Sequence, residues 1–243
     1  MIFKHISFTV FWNPAALTVI LLGTVACILN SYTAKELRVV GTLFKLLFVG
    51  DKGGNKIEII ILLLKIADTA RREGLLALES KADEITDPFF KKGLQLIVDG
   101  VDVEYVREVL HMEMDALEER HSLNSGIFMA AGTYAPTLGV LGAVFGLIAA
   151  MAYIDNTRIM SEAIAAAFVA TILGIFSGYV LWIPFATKLK TKTKHEILEK
   201  TIIVEGLVAL SKGESPTLIR EKLTSFLTST ERAEFIEAQK NAD

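Results

Sequence analysis

The sequence predicts an all-α integral membrane protein, and its composition and three long uncharged segments carry that prediction. The chain has 243 residues, of which 52% are hydrophobic, and a mean hydropathy of +0.46. Residues 8–29, 126–154 and 163–187 contain no charged side chain. Each is long enough to cross a bilayer core, which takes roughly 20 apolar residues in a helix. No segment alternates strictly between apolar and polar residues, so we expect no strands.

Basic residues near the membrane ends predict the orientation, because such residues stay on the cytoplasmic side. They concentrate between the first two spans and after the third. We therefore predict, in chain order, a periplasmic N-terminal segment (1–13), a transmembrane helix (14–30), a cytoplasmic helical loop domain (31–125), a transmembrane helix (126–154), a short periplasmic link (155–162), a transmembrane helix (163–187) and a cytoplasmic helical tail (188–243).

The polar segments contain three further helix predictions. Apolar residues at helical spacing predict helices over 56–69 and 102–119. Ser215 followed by Pro216 is typical of a helix start, and we expect that helix to reach about Leu227. The run Gly53-Gly54-Asn55 and Gly213 indicate breaks.

Small residues recur every three or four positions in the last two spans. The set comprises Gly139, Gly142, Gly146, Ala170, Gly174 and Gly178. Such residues let helix backbones approach closely in lipid. Each glycine alone fits packing within one hairpin, but two full stripes on adjacent spans favour further contacts, with copies of this chain or with a partner helix.

Two prolines lie in the same spans, Pro136 in the second and Pro184 near the end of the third. Each removes a backbone hydrogen bond and clashes with the carbonyl four residues back. They indicate either static kinks or a flexible joint between the membrane part and the cytoplasmic part.

The spans contain no Asp, Glu, Lys, Arg or His. Ion pathways in membranes need an ionisable or coordinating group. If this chain conducts ions, a partner subunit must supply the titrating group, and the alternative is a passive scaffold. The four histidines have no ligand spacing and no catalytic motif is present, so we expect no metal, no cofactor and no enzyme activity.

Four runs of the sequence carry a family resemblance, residues 71–79 (RREGLLALE), 135–147 (APTLGVLGAVFGL), 170–175 (ATILGI) and 184–190 (PFATKLK). They resemble the MotA-type stator subunits of the MotA/TolQ/ExbB proton channel family. The resemblance extends from about residue 11 to residue 227. It implies an A-type subunit of the flagellar motor in the bacterial inner membrane, which self-associates in a ring of five copies around a dimer of B-type, MotB-like subunits.

The same resemblance implies roles for particular residues. The B-type helix would supply the ion-binding aspartate, and Arg71, Arg72 and Glu79 would contact the rotor switch protein FliG. Pro136 and Pro184 match prolines needed for torque. Thr171 and Ala143 would line the ion path. Sodium-driven relatives tend to have threonine at position 143, so the alanine here predicts that protons are the transported ion.

One departure from the family pattern keeps an alternative open. MotA-type subunits have four membrane helices, whereas only three are visible here, so we expect the family's first helix to be missing from this chain. Three spans are also the layout of ExbB, and the alternative function is an ExbB/TolQ-like energiser of outer-membrane processes. The 71–79 run and Pro184 favour the stator.

Overall fold

The computed structural model describes residues 13–48 and 56–240, and all regular secondary structure within those ranges is helical. The predicted all-α fold class is confirmed. Residues 1–12 of the predicted N-terminal segment and the predicted break at Gly53-Gly54-Asn55 lie outside the described residues. The α-helices are α1 (Pro14–Ser31), α2 (Ala34–Leu37), α3 (Val40–Phe48), α4 (Lys56–Glu73), α5 (Leu78–Glu84), α6 (Pro88–Val98), α7 (Val103–Met151), α8 (Thr157–Phe176), α9 (Ile183–Ser211), α10 (Pro216–Thr224) and α11 (Ser229–Lys240).

The chain folds as two compact units. The first, called the membrane unit below, contains the described residues 13–48 and 120–191. The second, called the loop-tail unit, contains the described residues 56–119 and 192–240. The long helices α7 and α9 contribute residues to both units.

Three helical stretches are long and apolar enough to cross a membrane, namely Pro14–Ser31, Val103–Met151 and Thr157–Ser211. They contain the three predicted spans, except for residues 152–154. Two of them run far beyond the predicted spans. The helix predicted at 102–119 and the second span are one helix of 49 residues, α7. No glycine or proline lies between residues 119 and 126 to end it.

The helix starts in the membrane unit follow local capping chemistry. The side chain of Asn13 accepts a hydrogen bond from the Ala16 amide at 3.1 Å, and Pro14 occupies the first helical position. Asn156 caps α8 by accepting from the Ile159 amide at 3.3 Å. These caps satisfy amides that have no partner within the helix. Only residues 152–156 between α7 and α8 are non-helical, so the connection is shorter than the predicted link of 155–162.

Aromatic side chains join α3 to α7 and to the start of α9. The Phe44 ring meets the Phe128 ring edge-on, with centroids 5.2 Å apart, and also lies edge-on to Trp182 and Phe185 at 6.3 and 6.0 Å. These geometries are the favourable ones for aromatic pairs. The cluster fixes the short helix α3 to the two long helices.

The loop-tail unit has a hydrophobic core of large aliphatic side chains. Its fully buried members include Ile60, Leu94, Leu110, Ile202 and Leu207, each with a relative exposure of 0%. They come from α4, α6, α7 and α9, whose apolar stripes face one another. This core is what makes the unit compact.

Turn chemistry in the loop-tail unit agrees with the sequence. Ser215 accepts from the Leu218 amide at 3.4 Å and Pro216 begins α10, so the predicted helix start is confirmed. The helix ends at Thr224 rather than at Leu227. Gly213 has φ of +69°, a conformation that side chains disfavour, and it ends α9 as predicted.

Candidate functional site

The hairpin of α7 and α8 is the centre of the membrane unit, and glycines set how close its helices come. An ideal Cβ built on Gly139 would lie 2.8 Å from the Ala170 carbonyl oxygen and 2.9 Å from the Gly174 Cα. A Cβ on Gly174 would lie 2.8 Å from the Ala135 oxygen and 2.8 Å from the Gly139 Cα. The two backbones are therefore in direct contact at this point, and a methyl group at either position cannot fit.

The remaining small residues follow the same crossing with different tolerances. A Cβ on Gly146 would lie 3.1 Å from the Ala167 Cβ, which is tight. A Cβ on Gly142 would lie 3.6 Å from the Ala170 Cβ and 3.8 Å from the Val19 Cγ1, which is ordinary contact. The two stripes thus face each other within the hairpin, and the predicted contacts with further copies or a partner helix stay a prediction.

Helix α1 packs against this hairpin, and one of the contacts is made at a glycine. A Cβ on Gly23 would lie 3.0 Å from Leu138 Cδ1, so α1 approaches α7 at that glycine. The hydroxyl oxygens of Ser31 and Tyr134 are 3.0 Å apart and share a hydrogen bond. The sequence predicted neither contact, because they join residues more than 100 positions apart.

The predicted ion-path residues lie at the level of the glycine crossing. Ala143 and Thr171 each follow a member of the contacting pair Gly142 and Ala170, and both are half-buried. The Thr171 hydroxyl donates to the Ala167 carbonyl at 3.3 Å. Its oxygen keeps lone pairs that can accept a hydrogen bond, whereas Ala143 offers no side-chain oxygen at all.

Two further hydroxyls lie on an exposed face of α7. Thr133 donates to the Met129 carbonyl and Thr137 donates to the Thr133 carbonyl, each at 3.1 Å. Hydrogen bonds back to the helix satisfy the hydroxyl protons and make threonine tolerable in a membrane helix.

Both predicted hinge prolines lie inside continuous helical runs. Pro136 lies within α7. Pro184 lies in the first turn of α9, directly after a π-helical segment, Ser177–Trp182, which the sequence analysis missed. Single π turns inside α-helices are rare and recur at functional sites. The proline at 184 was the only available signal, and it does not reveal how the preceding turn adapts.

Large apolar side chains cover the outside of the hairpin. Phe145, Phe168 and Phe176 are 59%, 67% and 53% exposed, and Val140, Ile148 and Ile172 are about as open. Soluble monomers rarely expose contiguous apolar surface of this kind. In a membrane protein this surface faces lipid or other subunits.

The predicted rotor-contact charges lie on the loop-tail unit. Arg71 and Arg72 occupy the last turn of α4, Glu79 lies at the start of α5, and all three are exposed. Gly74, with φ of +86°, ends α4 between them. Arg72 pairs with Asp68 at 2.8 Å on its own helix. Among the residues that the structure describes, neither Arg71 nor Glu79 has an ion-pair partner, unlike Arg72.

The sequence and the fold of this chain are both similar to those of known proteins. The sequence profile of the MotA/TolQ/ExbB proton channel family matches residues 81–202. Motility protein A of Bacillus subtilis (strain 168) is 46% identical over 237 residues, which are 98% of this chain and 88% of that protein. The structure of the flagellar MotAB stator complex from Bacillus subtilis contains a chain that matches with a TM-score of 0.90 and 46% identity, covering 97% of this chain and 92% of that chain. The structure of C. jejuni MotAB matches with a TM-score of 0.85 and 33% identity, covering 90% and 86%.

Proposed function

This chain belongs to the MotA/TolQ/ExbB proton channel family, and we propose that it works as the A-type stator subunit of a bacterial flagellar motor. In that role it forms, with a B-type partner, an ion channel in the inner membrane that converts ion flow into torque on the rotor. The observation that carries the proposal is the TM-score of 0.90 over 97% of the chain to a flagellar stator complex. An ExbB/TolQ-like role has less support, because the relatives reported above are motility proteins.

The chemistry of the membrane unit calls for the B-type partner. The described parts of the three spans contain hydroxyls but no Asp, Glu, Lys, Arg or His. A channel that passes ions through these helices needs a titrating group, which a B-type helix with an aspartate supplies. The exposed phenylalanines of α7 and α8 give the apolar surface on which such a helix and further copies of this chain, five in a ring, can pack.

Protons are the ion that this site suits. A partly dehydrated sodium ion needs several oxygen ligands, and Ala143 supplies none from its side chain. Swimming speed should therefore be independent of external sodium and fall when a protonophore is added. Speed that follows sodium and ignores the protonophore would contradict proton coupling while leaving the stator role intact.

The exposed side chains of Arg71 and Glu79 on the loop-tail unit provide the contact with the rotor switch protein FliG. Exposed ion pairs are worth only about 0–1 kcal/mol each, which suits a contact that must engage and release. Arg71→Glu should lower motor torque, and reversing an acidic residue on FliG should restore part of it. Arg220→Glu on α10, which reverses another exposed arginine, should leave torque unchanged. If no reversal on FliG compensates Arg71→Glu, the contact lies elsewhere.

Deleting the gene tests the main proposal. Cells of the host should keep complete flagellar filaments by microscopy and lose rotation, and re-expression of the chain should restore swimming. Cells that swim normally but fail in siderophore uptake or envelope integrity would replace the proposal with the ExbB/TolQ-like role.

A further inference from the structure

The spans of the membrane unit end in one layer, and helix α3 lies in that layer. A Cβ built on Gly126, the first residue of the uncharged segment of α7, would lie 3.4 Å from the Tyr32 hydroxyl just after α1. The aromatic cluster described above joins α3 to the same part of α7. The Lys188 ammonium, which directly follows the third uncharged segment, donates to the Leu47 carbonyl of α3 at 2.5 Å. Helix α3 therefore lies where the hydrocarbon of a bilayer gives way to headgroups.

Only one face of α3 is covered by the rest of the membrane unit. Leu43 and Leu47, one turn apart, are 7% and 1% exposed and pack with buried residues of α7 and α9. Away from that contact, Phe48 is 77% exposed and Leu46 is 43% exposed. Lys45 is also exposed, and it lies three residues before Phe48, so helical spacing makes the two side chains neighbours. A helix that combines exposed apolar side chains with a base is typical of the membrane interface.

The stretch that contains α2 and α3 is basic, and the structure describes all of it. Lys35, Arg38 and Lys45 are exposed, and none of them has an ion-pair partner among the described residues. The one acidic residue of the stretch, Glu36, accepts from the Thr33 amide at 2.7 Å and from the Thr33 hydroxyl at 2.8 Å. These bonds belong to the cap of α2 and hold the carboxylate at the start of that helix. The stretch therefore presents cations in the layer where the spans end.

We propose that α2 and α3 form a binding surface for anionic phospholipids, with Arg38 and Lys45 on the headgroup phosphates and Phe48 in the acyl region. Lysine and arginine form charge-assisted hydrogen bonds with phosphate oxygens. Trp182 of the adjoining aromatic cluster fits the same layer, because tryptophan is enriched at membrane interfaces. A free phosphate ion would use the two bases alone and would leave Phe48 in water. The inference goes beyond the stator role and requires only that the spans cross a bilayer.

Hydrogen exchange on the full chain in lipid nanodiscs tests the basic part of this surface. Amides of residues 40–48 should exchange more slowly in discs of phosphatidylcholine and phosphatidylglycerol in equal parts than in discs of phosphatidylcholine alone. The difference should be about fivefold for each base that meets the anionic headgroups. The double variant Arg38→Gln, Lys45→Gln should lose the difference and should match the unchanged chain in phosphatidylcholine alone. Arg220→Gln on α10, which removes another exposed arginine, is the matched control and should keep the difference.

Equal exchange of the unchanged chain in the two kinds of disc would overturn the proposal and leave the surface to a protein partner. A difference that survives in the double variant would overturn it as well. Inorganic phosphate added to discs of phosphatidylcholine separates the lipid from a free anion, and it should not slow exchange in 40–48. If phosphate alone slows exchange as much as phosphatidylglycerol does, the surface is not a lipid site.

A nitroxide label tests the apolar part of the surface. Attached at Phe48→Cys in a Cys27→Ser background, the label should collide more often with oxygen, which dissolves in lipid, than with a water-soluble nickel complex. The same label at Arg220→Cys should show the reverse preference. A label at position 48 that prefers the nickel complex would overturn the placement of Phe48 in the bilayer. None of these readouts uses motility, so a failure of the stator role leaves them unaffected.

Discussion

The membrane unit and the loop-tail unit are both helical, but they pack by opposite means. In the membrane unit the helices touch through Gly139 and Gly174, with their backbones in contact. In the loop-tail unit the helices are held apart by large buried side chains such as Phe90 and Leu207, which are 2% and 0% exposed. Phe168 of the membrane unit, by contrast, is 67% exposed.

The difference follows from the surroundings of each unit. In water, burial of apolar area drives association at about 25 cal/mol per Å², so large side chains go inside. In lipid that driving force is absent between helices, and close van der Waals contact of small residues replaces it. The residues most sensitive to change should therefore be large ones in the loop-tail unit and small ones in the membrane unit.

Truncating the core of the loop-tail unit should have the largest effect. Leu207→Ala removes a fully buried side chain and should cost about 2–5 kcal/mol in stability. Leu141→Ala, at a position 44% exposed in the membrane unit, should cost less than about 0.5 kcal/mol. Denaturant dependence of amide exchange in the purified full chain measures both. Equal costs would remove the distinction between the units.

Adding a methyl group at the glycine crossing of α7 and α8 should have the next largest effect on stability. Gly139→Ala meets backbone atoms at 2.8 and 2.9 Å, which cannot move aside without separating the helices, and should cost about 1–3 kcal/mol. Gly142→Ala has ordinary contact distances and should be nearly neutral. Thermal unfolding in detergent compares the two variants. If Gly139→Ala left stability unchanged, the two helices could accommodate a methyl group at their crossing.

The same substitution in the loop-tail unit should be milder, which sharpens the comparison. A Cβ on Gly93 would lie 2.5 Å from Leu207 Cδ1 and 3.0 Å from Leu110 Cδ1. Both atoms end flexible side chains that can rotate, and alanine is better than glycine in a helix by about 1 kcal/mol. We expect Gly93→Ala to change stability by no more than about 1 kcal/mol in the same unfolding measurement. A loss of stability as large as that of Gly139→Ala would show that both units tolerate an added methyl group equally poorly.

The smallest effect should be a pH dependence of α11 in the loop-tail unit. Glu231 on α11 accepts from the Lys56 ammonium at 2.5 Å and from the Thr228 amide at 2.8 Å. The bond to Lys56, then that to Thr228, lowers the pKa of Glu231 from 4.5 to about 2. Because the folded-state pKa is lowered, the stabilisation is complete above pH 4.5 and is lost as the pH falls to about 2.

Limited proteolysis of the α11 segment by an acid-active protease, followed between pH 5 and pH 2, measures this loss. Glu231→Gln should make cleavage less dependent on pH, because the titrating group is gone. Spans α1 and α8 should show no matching change. An unaltered pH profile in Glu231→Gln would assign the effect to another carboxylate.

Local signals predicted much of what the structure contains. The uncharged segments gave the three spans, Ser215 with Pro216 gave the start of α10, and Gly213 gave the end of α9. The joining of the helix at 102–119 to the second span was missed, because an absent breaker is a weaker signal than a present one. Neither the π turn before Pro184 nor its contact with Pro136 could be predicted.

The sequence by itself determined what depends on neighbours along the chain, namely the spans, the helix starts, the exposed charges at Arg71 and Glu79, and the lack of an ionisable group within the spans. The tertiary structure decided which small residues touch, because periodicity places Gly139, Gly142 and Gly146 near one helix face without stating what lies opposite. Only the crossing of α7 and α8 separates Gly139, which has no room for a methyl group, from Gly142, which has room. It also brings the two prolines' turns together, since contact between residues more than 40 positions apart depends on packing and not on local propensity.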